Sequence, residues 1–476
     1  MTGTAGLKPL LFVVMPFGKK PDATGTHTID FDRIYELAIK PAAEAADLEV
    51  IRADEERSGG IIHVPMFERL LLAEIVVADL TTPNPNVFYE LGVRHCARPR
   101  STILIYARGN QLPFDVRMIR ALPYDLKDGT LTEPAAATLR EALARELADA
   151  RRDLEQSDSP LFQLIPSFPG VTLSATDTIA FRDRARAIQR VRDRLAEARR
   201  LPDRAQALAE IRAIEAELGD LATAPSELVV DLLFSYRDVE AYDAMVSLVE
   251  RLPPGPVAEA ARIREAYGFA LNRRNGPGDR QRAVRVLEGV VETHGPSPET
   301  CGLLGRIYKD WYDGALRAGQ TAQAAAYLDE AITWYRRGFE ADPRDYYPGI
   351  NLATLLLLKG DAGSLAELRT IAAAVAFAVV RRGGVSSRDY WDVATVLEAA
   401  VLGEDWALAE RAAARLLILD APDWMRASTA NNLRLIRRVR EERGQATDTL
   451  DGIIAQLAPA PPGPEHGQHQ RARTTG

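Results

Sequence analysis

IVVADLTTPNPNVFYELGVRHCA, residues 75–97, is the stretch that decides the fold of the first part of this chain. Its first four residues are continuously apolar, which is typical of a strand buried on both faces of a parallel sheet. Asp79 ends this strand, a polar loop with two prolines follows, and Asn86 opens a helix that carries Glu90 one turn in. Ligands of open α/β sheets bind outside the carboxyl ends of the strands, so we expect these polar side chains at one crevice.

The same alternation of apolar strands and helical segments covers residues 8–156. A polar loop joins the first predicted strand to the first predicted helix. Strands are predicted at 10–15, 48–54, 75–78, 101–107 and 122–126, and helices at 31–46, 61–73, 86–97 and 134–154. Apolar strands separated by helices predict a flavodoxin-like, doubly wound parallel sheet with helices on both faces.

The second part of the chain is helical in pattern. Residues 157–178 contain three prolines and are interpreted as a packed linker, residues 179–457 as helices, and the proline-rich tail 458–476 as disordered. EAITWYRRGFEADP, residues 330–343, has the spacing of the second helix of a tetratricopeptide repeat, and extra length near 307–321 makes the repeat irregular there. The fold class predicted for the chain is therefore α/β plus all-α, with a tetratricopeptide-like α-solenoid that presents a concave protein-binding surface.

Composition narrows the classes of partner. The 59 basic residues are outnumbered by 67 acidic ones, and a net charge of −8 argues against nucleic acid and anionic membranes as partners. The apolar run at 10–16 is too short for a membrane span, which needs ~20 residues, and we expect no other segment to be long enough. Cys96 and Cys301 suggest no disulfide framework and no zinc site, so a reduced, cytoplasmic compartment fits and no metal is expected.

Glu90 is the predicted catalytic residue, with Asp79 beside it. A carboxylate at the mouth of the sheet suits a nucleophile, or a stabiliser of a ribosyl cation. The alternative for Glu90 is a surface ion pair with Arg94 at i+4. Asp79 either contacts a ribose or base or caps the turn after its strand. The residues predicted to contact a substrate are Phe17, Gly18, Arg52, Asp54, Asn84, Asn86 and Tyr89. Of these, Asn86 is expected to act first as a helix N-cap. For Arg52 and Asp54, an ion pair with each other is an equal alternative to ligand contact.

The amino-terminal motifs VVMPFG (13–18), RAD (52–54) and ADLTTPNPNVFYELGVRH (78–95) resemble the TIR-like and nucleoside 2-deoxyribosyltransferase-like group of domains. In that group a glutamate on the helix after the third strand attacks or stabilises the ribosyl carbon as the base departs from a nucleoside or from NAD. The match of the motif assigns this role to Glu90, which implies an N-glycosidase or NAD nucleosidase that needs no cofactor.

The helical motifs ALNRRN (270–275), ETCGLLGRIYKDWY (299–312) and YRRGFEADPRDYYPGINLATLL (335–356) are similar to another family. It is the tetratricopeptide-type central regulatory, TRAFs-binding region of the apoptosis signal-regulating kinases, which bacterial proteins also carry. The resemblance implies a signalling or assembly module. Kinase activity does not carry over, because the sequence has neither an HRD nor a DFG motif.

Together these observations predict a bacterial-type signalling or conflict-response protein. Its α/β domain would cleave the N-glycosidic bond of NAD or a related nucleotide, under the control of the helical repeats. The alternative is a non-enzymatic, nucleotide-sensing adaptor or scaffold that acts through protein contacts of the repeats. The expected partners are a nucleotide and a protein bound to the repeats, homo-oligomerisation is left open, and neither nucleic acid nor a membrane is expected.

Overall fold

The structure is a computed structural model, and it describes residues 8–22, 27–52, 64–110, 112–117, 119–152, 157–165, 167–171 and 175–457. The chain divides into two compact units, Met1–Ala270 and Leu271–Gly476. The first unit contains a small parallel sheet with helices, and the described part of the second unit is helical. The chain is thus mostly helical, as the predicted fold class requires.

Seven strands lie in the described part of the first unit: β1 (Leu10–Val14), β2 (Lys19–Pro21), β3 (Thr28–Asp30), β4 (Glu49–Arg52), β5 (Ile75–Asp79), β6 (Thr102–Ala107) and β7 (Ala121–Tyr124). Five of them form one parallel sheet in the order β4-β1-β5-β6-β7. Phe12 at the centre of β1 pairs with Ile51 on one side and Val76 on the other. The connections reverse direction between β1 and β5, where an open sheet forms its crevice.

Both faces of the sheet are buried, which explains why its central strands are apolar without alternation. Leu11 and Val13 of β1 pack into one apolar core, and Phe12 packs into the other. The two helical layers over these cores are formed by the segments at 31–45 and 133–152 on one face and by those at 64–72 and 85–97 on the other. The predicted doubly covered parallel sheet is confirmed at this level.

The polar loop predicted between the first strand and the first helix contains a two-stranded antiparallel sheet of β2 and β3. Lys19 pairs with Asp30 across it. These strands have three residues each, which is too short for an apolar alternation to be recognised in the sequence. Gly18 turns the chain into β2 with a φ of +65°, a conformation that glycine adopts without strain.

Twelve helices follow in the described part of the first unit: α1 (Phe31–Ile34), α2 (Lys40–Ala45), α3 (Val64–Leu72), α4 (Pro85–Ala97), α5 (Phe114–Arg117), α6 (Glu133–Arg152), α7 (Pro160–Leu164), α8 (Ala175–Arg200), α9 (Arg204–Leu218), α10 (Ser226–Asp238), α11 (Tyr242–Glu250) and α12 (Pro256–Glu259). A π-helical turn, Tyr35–Ile39, joins α1 to α2, whose second residue, Pro41, has no N–H to donate to the preceding turn. Helix α13 (Ala261–Arg274) crosses the boundary between the two units. The tail 458–476, predicted to be disordered, lies outside the described residues.

The helices of the second unit are α14 (Asp279–His294), α15 (Pro298–Arg317), α16 (Thr321–Ala341), α17 (Tyr346–Lys359), α18 (Ala362–Arg381), α19 (Tyr390–Leu402), α20 (Trp406–Ile418), α21 (Asp423–Glu442) and α22 (Asp448–Leu457). Most of them pack against the next helix in the chain. Side-chain caps define several starts: Asp345, Asp361, Asp389 and Asp405 accept hydrogen bonds from N–H groups of the first turns of α17 to α20. The extra repeat length predicted near 307–321 takes the form of two long helices, α15 and α16.

The small and aromatic positions of the predicted repeat lie in the helical core. Ala331 and Tyr335 of α16 have no exposed surface. A Cβ atom on Gly305 of α15 would lie 2.7 Å from two carbon atoms of the Tyr335 ring. Glycine at this position therefore lets α15 and α16 approach closely.

Helix α18 differs from its neighbours in composition. An 18-residue window in it has a mean hydropathy of 1.6, and 28% of that window is buried. By length and composition it is able to cross a membrane, so the expectation that no segment qualifies is wrong. One side of the helix, with Leu368, Val375 and Val379, packs inside the helical unit.

Candidate functional site

Asp79, the acid at the end of β5, is enclosed at the carboxyl edge of the sheet. Its Oδ1 accepts hydrogen bonds from the backbone N–H of Thr81 at 2.9 Å and from the Thr81 hydroxyl at 2.5 Å. Its Oδ2 accepts one from the Tyr124 hydroxyl at 2.9 Å. The Thr81 hydroxyl oxygen also accepts from the N–H of Ala107 at 2.9 Å. These bonds connect the ends of β5, β6 and β7.

The environment of Asp79 raises the pKa of its carboxyl group. The side chain has no exposed surface, and burial raises the pKa of Asp79 to about 6, while the hydrogen bonds from Thr81 and Tyr124 oppose this rise. At neutral pH the group is a carboxylate with three donors. In this geometry Asp79 caps the turn after its strand, which is the structural alternative that the sequence left open.

Helix α4 begins at Pro85 and is capped by Asn84, whose side-chain oxygen accepts from the N–H of Asn86 at 2.9 Å. The prediction that Asn86 opens and caps this helix is wrong. Proline is favoured at the first helical position, where its missing N–H needs no partner, so the cap is the asparagine before it. The structure thus brings Asn84 and Asn86 together as parts of one helix start.

Glu90 is half-buried on α4, and Tyr89 beside it is exposed with its ring edge against Phe67 of α3. Arg94, one turn further on, is completely buried. Its guanidinium donates to the carbonyl oxygens of Leu70 and Ala73 at 2.8 and 2.9 Å, at the end of α3. A solvated surface pair of Glu90 with Arg94 does not fit this burial.

Gly18 and Arg52 meet at the same carboxylate. The N–H of Gly18 donates to Oδ1 of Asp32 at 3.1 Å, and the Arg52 guanidinium contacts the same atom at 3.0 Å. The guanidinium carbon of Arg52 also lies 4.4 Å from the centre of the Tyr35 ring. Phe17 is exposed. Asp54, predicted to contact a substrate or, alternatively, to pair with Arg52, lies outside the described residues.

A hollow of about 360 Å³ lies beside β6 and β7. The residues that line it are Tyr106, Asn110, Leu112, Arg117, Ile119 and Ala121. None of the predicted site residues is among them. In the described part of the chain, no group of three or more His, Cys, Asp or Glu side chains is arranged to hold a metal ion.

Three residues that organise this edge, Thr81, Tyr124 and Asp32, are not among the predicted site residues. Thr81 stands two positions after Asp79, which is the spacing of a side-chain-capped turn and was a usable signal. Tyr124 ends the last strand, and because parallel strands end at one edge, its position pointed towards Asp79. Asp32 had no comparable signal, since its contacts with Gly18 and Arg52 depend on how the first helix packs.

In the second unit, a largely buried series of side-chain hydrogen bonds connects three helices. Lys309 of α15 donates to the side-chain oxygen of Asn432 on α21 at 3.4 Å, and the Asn432 amide donates to Glu398 of α19 at 3.1 Å. Burial raises the pKa of Glu398 to about 7 and lowers that of Lys309. This chain connects helices that are far apart in sequence and restricts how they pack.

Comparison with known proteins gives a family profile and relatives that are all described as MAP kinase kinase kinases. A family profile described as the MAP3K TRAFs-binding domain matches residues 87–454. Mitogen-activated protein kinase kinase kinase 15 of Mus musculus is 38% identical over 238 residues, which are 49% of this chain and 17% of that protein. Kinase kinase kinase 6 of Homo sapiens is 31% identical over 395 residues, 77% of this chain and 29% of the relative. Mitogen-activated protein kinase kinase kinase nsy-1 of Caenorhabditis elegans is 29% identical over 441 residues, which are 85% of this chain and 28% of that protein. The chain therefore spans less than a third of the length of these relatives.

These relatives overturn the predicted enzyme. The prediction of a bacterial-type protein that cleaves NAD or a related nucleotide is wrong, because the matching proteins are MAP kinase kinase kinases. The predictions of a TIR-like domain and of N-glycosidase activity are wrong for the same reason. A nucleotide partner has no support either. The motif behind the resemblance has a structural explanation, since Asp79 caps a turn and Asn84 with Pro85 starts a helix. The catalytic and ligand-contact roles of the predicted site residues stay predictions, with no reaction attached to them.

The second resemblance is confirmed. The family match begins in α4 and ends in α22, so it covers nearly all of the described helical segments after the third strand of the sheet. The chain belongs to the MAP3K TRAFs-binding domain family.

Proposed function

We propose that this chain is a regulatory, protein-binding module of a signalling pathway and that its helices bind a TRAF-class protein. The observation that carries the proposal is the family match over residues 87–454, whose description names TRAF binding. This is the adaptor alternative of the sequence analysis without its nucleotide. The site of binding is the helical region, which makes up most of the matched range.

The architecture supports this role. Helices α15 to α19 each pack against the next helix in the chain, as helices do in repeat proteins that present extended binding surfaces. Gly305 and Gly349 lie against the Tyr335 and Phe339 rings, respectively, which allows close helix approach. We therefore propose a tetratricopeptide-like α-solenoid. The strand order β4-β1-β5-β6-β7 supports a flavodoxin-like sheet before it.

We also retain the predicted division of the chain into an α/β domain at 1–156, a linker at 157–178, helices at 179–457 and a tail. Ser159 donates from its hydroxyl to the carbonyl of His95 at 2.7 Å, which supports a linker packed on the end of α4. Cys96 and Cys301 are both free thiols, which supports a reducing, cytosolic compartment.

The test is a binding titration of the purified full chain with a purified TRAF-class protein, by isothermal calorimetry. We expect saturable binding with a Kd in the range of about 1 μM or tighter, or about −8 kcal/mol. Light scattering on the same samples gives the stoichiometry and the oligomeric state of the free chain.

Two variants make the titration specific for the helical region. Gly349→Val introduces a Cβ 2.6 Å from Val375 and 2.7 Å from Phe339, so it should disturb the packing of α17 and reduce TRAF-class binding. Arg120→Glu changes an exposed side chain of the first unit and should leave the affinity unchanged. Absence of binding by the wild-type chain at about 100 μM, roughly −5.5 kcal/mol, would overturn the proposed function.

A further inference from the structure

Three aromatic side chains meet at the surface of the second unit. Tyr308 and Trp311 lie one turn apart on α15, and Tyr327 lies on α16. The Trp311 and Tyr327 rings stack with their centres 5.4 Å apart, and the Tyr308 ring stands edge-on to that of Trp311 at 5.3 Å. All three are half-buried, unlike Tyr335 in the adjacent core, which has no exposed surface. Here "the aromatic patch" denotes Tyr308, Trp311 and Tyr327.

Three carboxylates lie beside the aromatic patch. Glu288 and Glu292 are one turn apart on α14, and Glu330 follows Tyr327 by three residues on the same side of α16. Helix α15 packs against both α14 and α16. Burial raises the pKa of Tyr308, and the negative charges of Glu330 and Glu288 raise it further, so both carboxylates act on this ring. Below, "the acidic rim" denotes Glu288, Glu292 and Glu330.

The acidic rim lacks a neutralising cation among the described residues. Helices α14, α15 and α16 are described throughout, and none of the three carboxylates forms an ion pair or a hydrogen bond with a described residue. By contrast, the half-buried Glu367 of the same unit accepts two hydrogen bonds from Arg336 at 2.7 and 2.8 Å.

The charges of the rim oppose one another. Burial raises the pKa of the half-buried Glu288, and the neighbouring charges of Glu292 and Glu330 raise it further. Like charges held together without a counter-charge destabilise the free chain, and a bound cation removes this repulsion. The rim therefore favours a positively charged ligand.

The aromatic patch narrows the chemistry of that ligand. Aromatic faces attract cations, and a guanidinium group suits both features because it is planar, stacks on rings and donates in a fork that matches carboxylate oxygens. The compact ammonium of lysine is more strongly hydrated. Arg337 of α16 shows this chemistry inside the chain, since its guanidinium carbon lies 4.6 Å from the centre of the Trp334 ring.

We propose that the aromatic patch and the acidic rim bind an arginine side chain in a basic segment of a partner protein. The guanidinium stacks on a ring of the patch while its N–H groups donate to Glu288 and Glu330. This inference rests on the proposed protein-binding function and adds a surface and a partner chemistry to it. The surface lies on α14 to α16, within the matched range 87–454.

Other classes of ligand fit this surface less well. Nucleic acids and anionic bilayers carry phosphates, which the carboxylates repel. In the part of the chain that the structure describes, no carboxylate group is arranged to hold a metal ion. A second copy of the chain has a net charge of −8, so its approach to an acidic rim is unfavourable overall.

The probe is a fluorescein-labelled glycine–serine peptide with arginines at alternate positions. One comparison peptide has lysines at those positions, and another has citrullines, which keep the shape of arginine without its charge. Fluorescence anisotropy with the full chain should show that the arginine peptide binds at least about tenfold more tightly than the citrulline peptide and about threefold more tightly than the lysine peptide. Equal binding of the arginine peptide and either comparison peptide would overturn the inference.

The variant E288Q/E330Q tests the acidic rim and should weaken binding of the arginine peptide by about tenfold or more. The matched control E141Q/E410Q removes the same charge at exposed glutamates of α6 and α20 and should bind like wild type. Because E288Q/E330Q relieves a repulsion, it should melt at or above the wild-type temperature, which separates loss of binding from unfolding. An equal loss of binding in both variants would indicate general attraction to an acidic chain and would overturn the inference.

Tyr327→Leu tests the aromatic patch, since it keeps an apolar side chain and removes one ring. It should weaken binding of the arginine peptide by about fivefold. Phe377→Leu is the control, because Phe377 is a 70% exposed ring of α18 outside the patch, and it should have no effect. Circular dichroism checks the fold, and E288Q/E330Q still tests the site should Tyr327→Leu fail to fold. Unchanged binding by a folded Tyr327→Leu would contradict the proposed contact.

Light scattering and the TRAF-class titration complete the test. Dimerisation that E288Q/E330Q abolishes would replace the inference with a second copy of the chain. Failure of the arginine peptide with intact TRAF-class binding removes only this inference, whereas failure of TRAF-class binding with intact arginine-peptide binding removes only the proposed function.

Discussion

Replacement of Gly305 by alanine tests whether α15 and α16 pack as closely as the structure shows. The added Cβ would lie 2.7 Å from Cδ2 and Cε2 of Tyr335 and 2.9 Å from Cγ. These atoms belong to a ring with no exposed surface, so the ring has no free space into which it can move. The substitution should therefore force the two helices or the ring out of their positions.

The magnitude follows from two opposing effects. Overpacking of a filled core costs typically about 1–3 kcal/mol, while alanine in place of glycine inside a helix contributes up to about 1 kcal/mol of stability. Gly314 in the same helix is the matched control, because a Cβ there meets no atom within 4 Å. The helix-propensity gain is common to both variants and cancels in their comparison. Gly305→Ala should thus be about 1–3 kcal/mol less stable than Gly314→Ala.

The assay is urea and thermal unfolding of the full chain, followed by circular dichroism at 222 nm. A difference of 1 kcal/mol should separate the two Tm values by roughly 2–4 °C for a unit of about 200 residues. We expect Gly314→Ala to melt at or above the wild-type temperature and Gly305→Ala below it. If Gly305→Ala is as stable as Gly314→Ala, α15 and α16 do not pack through this glycine.

Three further predictions concern buried charges. The pKa of Asp79 is about 6 in the folded chain against an ordinary 3.8, so the folded chain binds this proton more tightly than the unfolded chain does. The free energy of unfolding should therefore fall by up to about 3 kcal/mol as the pH rises from about 4 to about 6. Asp79→Asn should remove this pH dependence in urea titrations. Glu398 has a pKa of about 7 in the folded chain against an ordinary 4.5, so it should also lower the free energy of unfolding as the pH rises from about 4.5 to about 7. Glu398→Gln should therefore be more stable relative to wild type above pH 7 than at pH 4.5. A stability difference between variant and wild type that stays constant over this pH range would contradict the burial of Glu398. Arg94→Met should lower the free energy of unfolding by roughly 2–4 kcal/mol, because it leaves the carbonyl groups of Leu70 and Ala73 without their donor. Arg120→Met, which removes an exposed ion pair, should change it by less than about 1 kcal/mol in the same denaturant titration. Equal effects of the two substitutions would show that Arg94 is not buried.

Much of the α/β part was predictable because its signals are local. A continuous apolar run such as residues 75–78 predicts a strand covered on both faces, and the predicted strands and helices agree with the structure to within a few residues where it describes them. The pair β2 and β3 was missed because three-residue strands show no periodicity. The cap of α4 was misplaced by two residues because the preference of Pro85 for the first helical position was not used.

The candidate site was predicted less well, because residue types at a sheet edge do not show which way they are bonded. Asp79 and Glu90 have the composition of a ligand site, yet Asp79 accepts its hydrogen bonds from residues at the ends of β5 and β7. Arg94 looked like a surface partner of Glu90, and its guanidinium instead caps α3. The comparisons with known proteins, and not the local motif, identified the family to which the chain belongs.

The sequence by itself determined which segments become strands and helices, since apolar periodicity, proline and capping residues act within a few positions of one another. Only the tertiary structure decided which polar groups are buried and which apolar groups stay exposed. Asp79 is enclosed because strands distant in sequence end beside it, and Phe377 is exposed because no described helix packs on that side of α18. Burial depends on contacts between segments far apart in the chain, and a local pattern does not contain them.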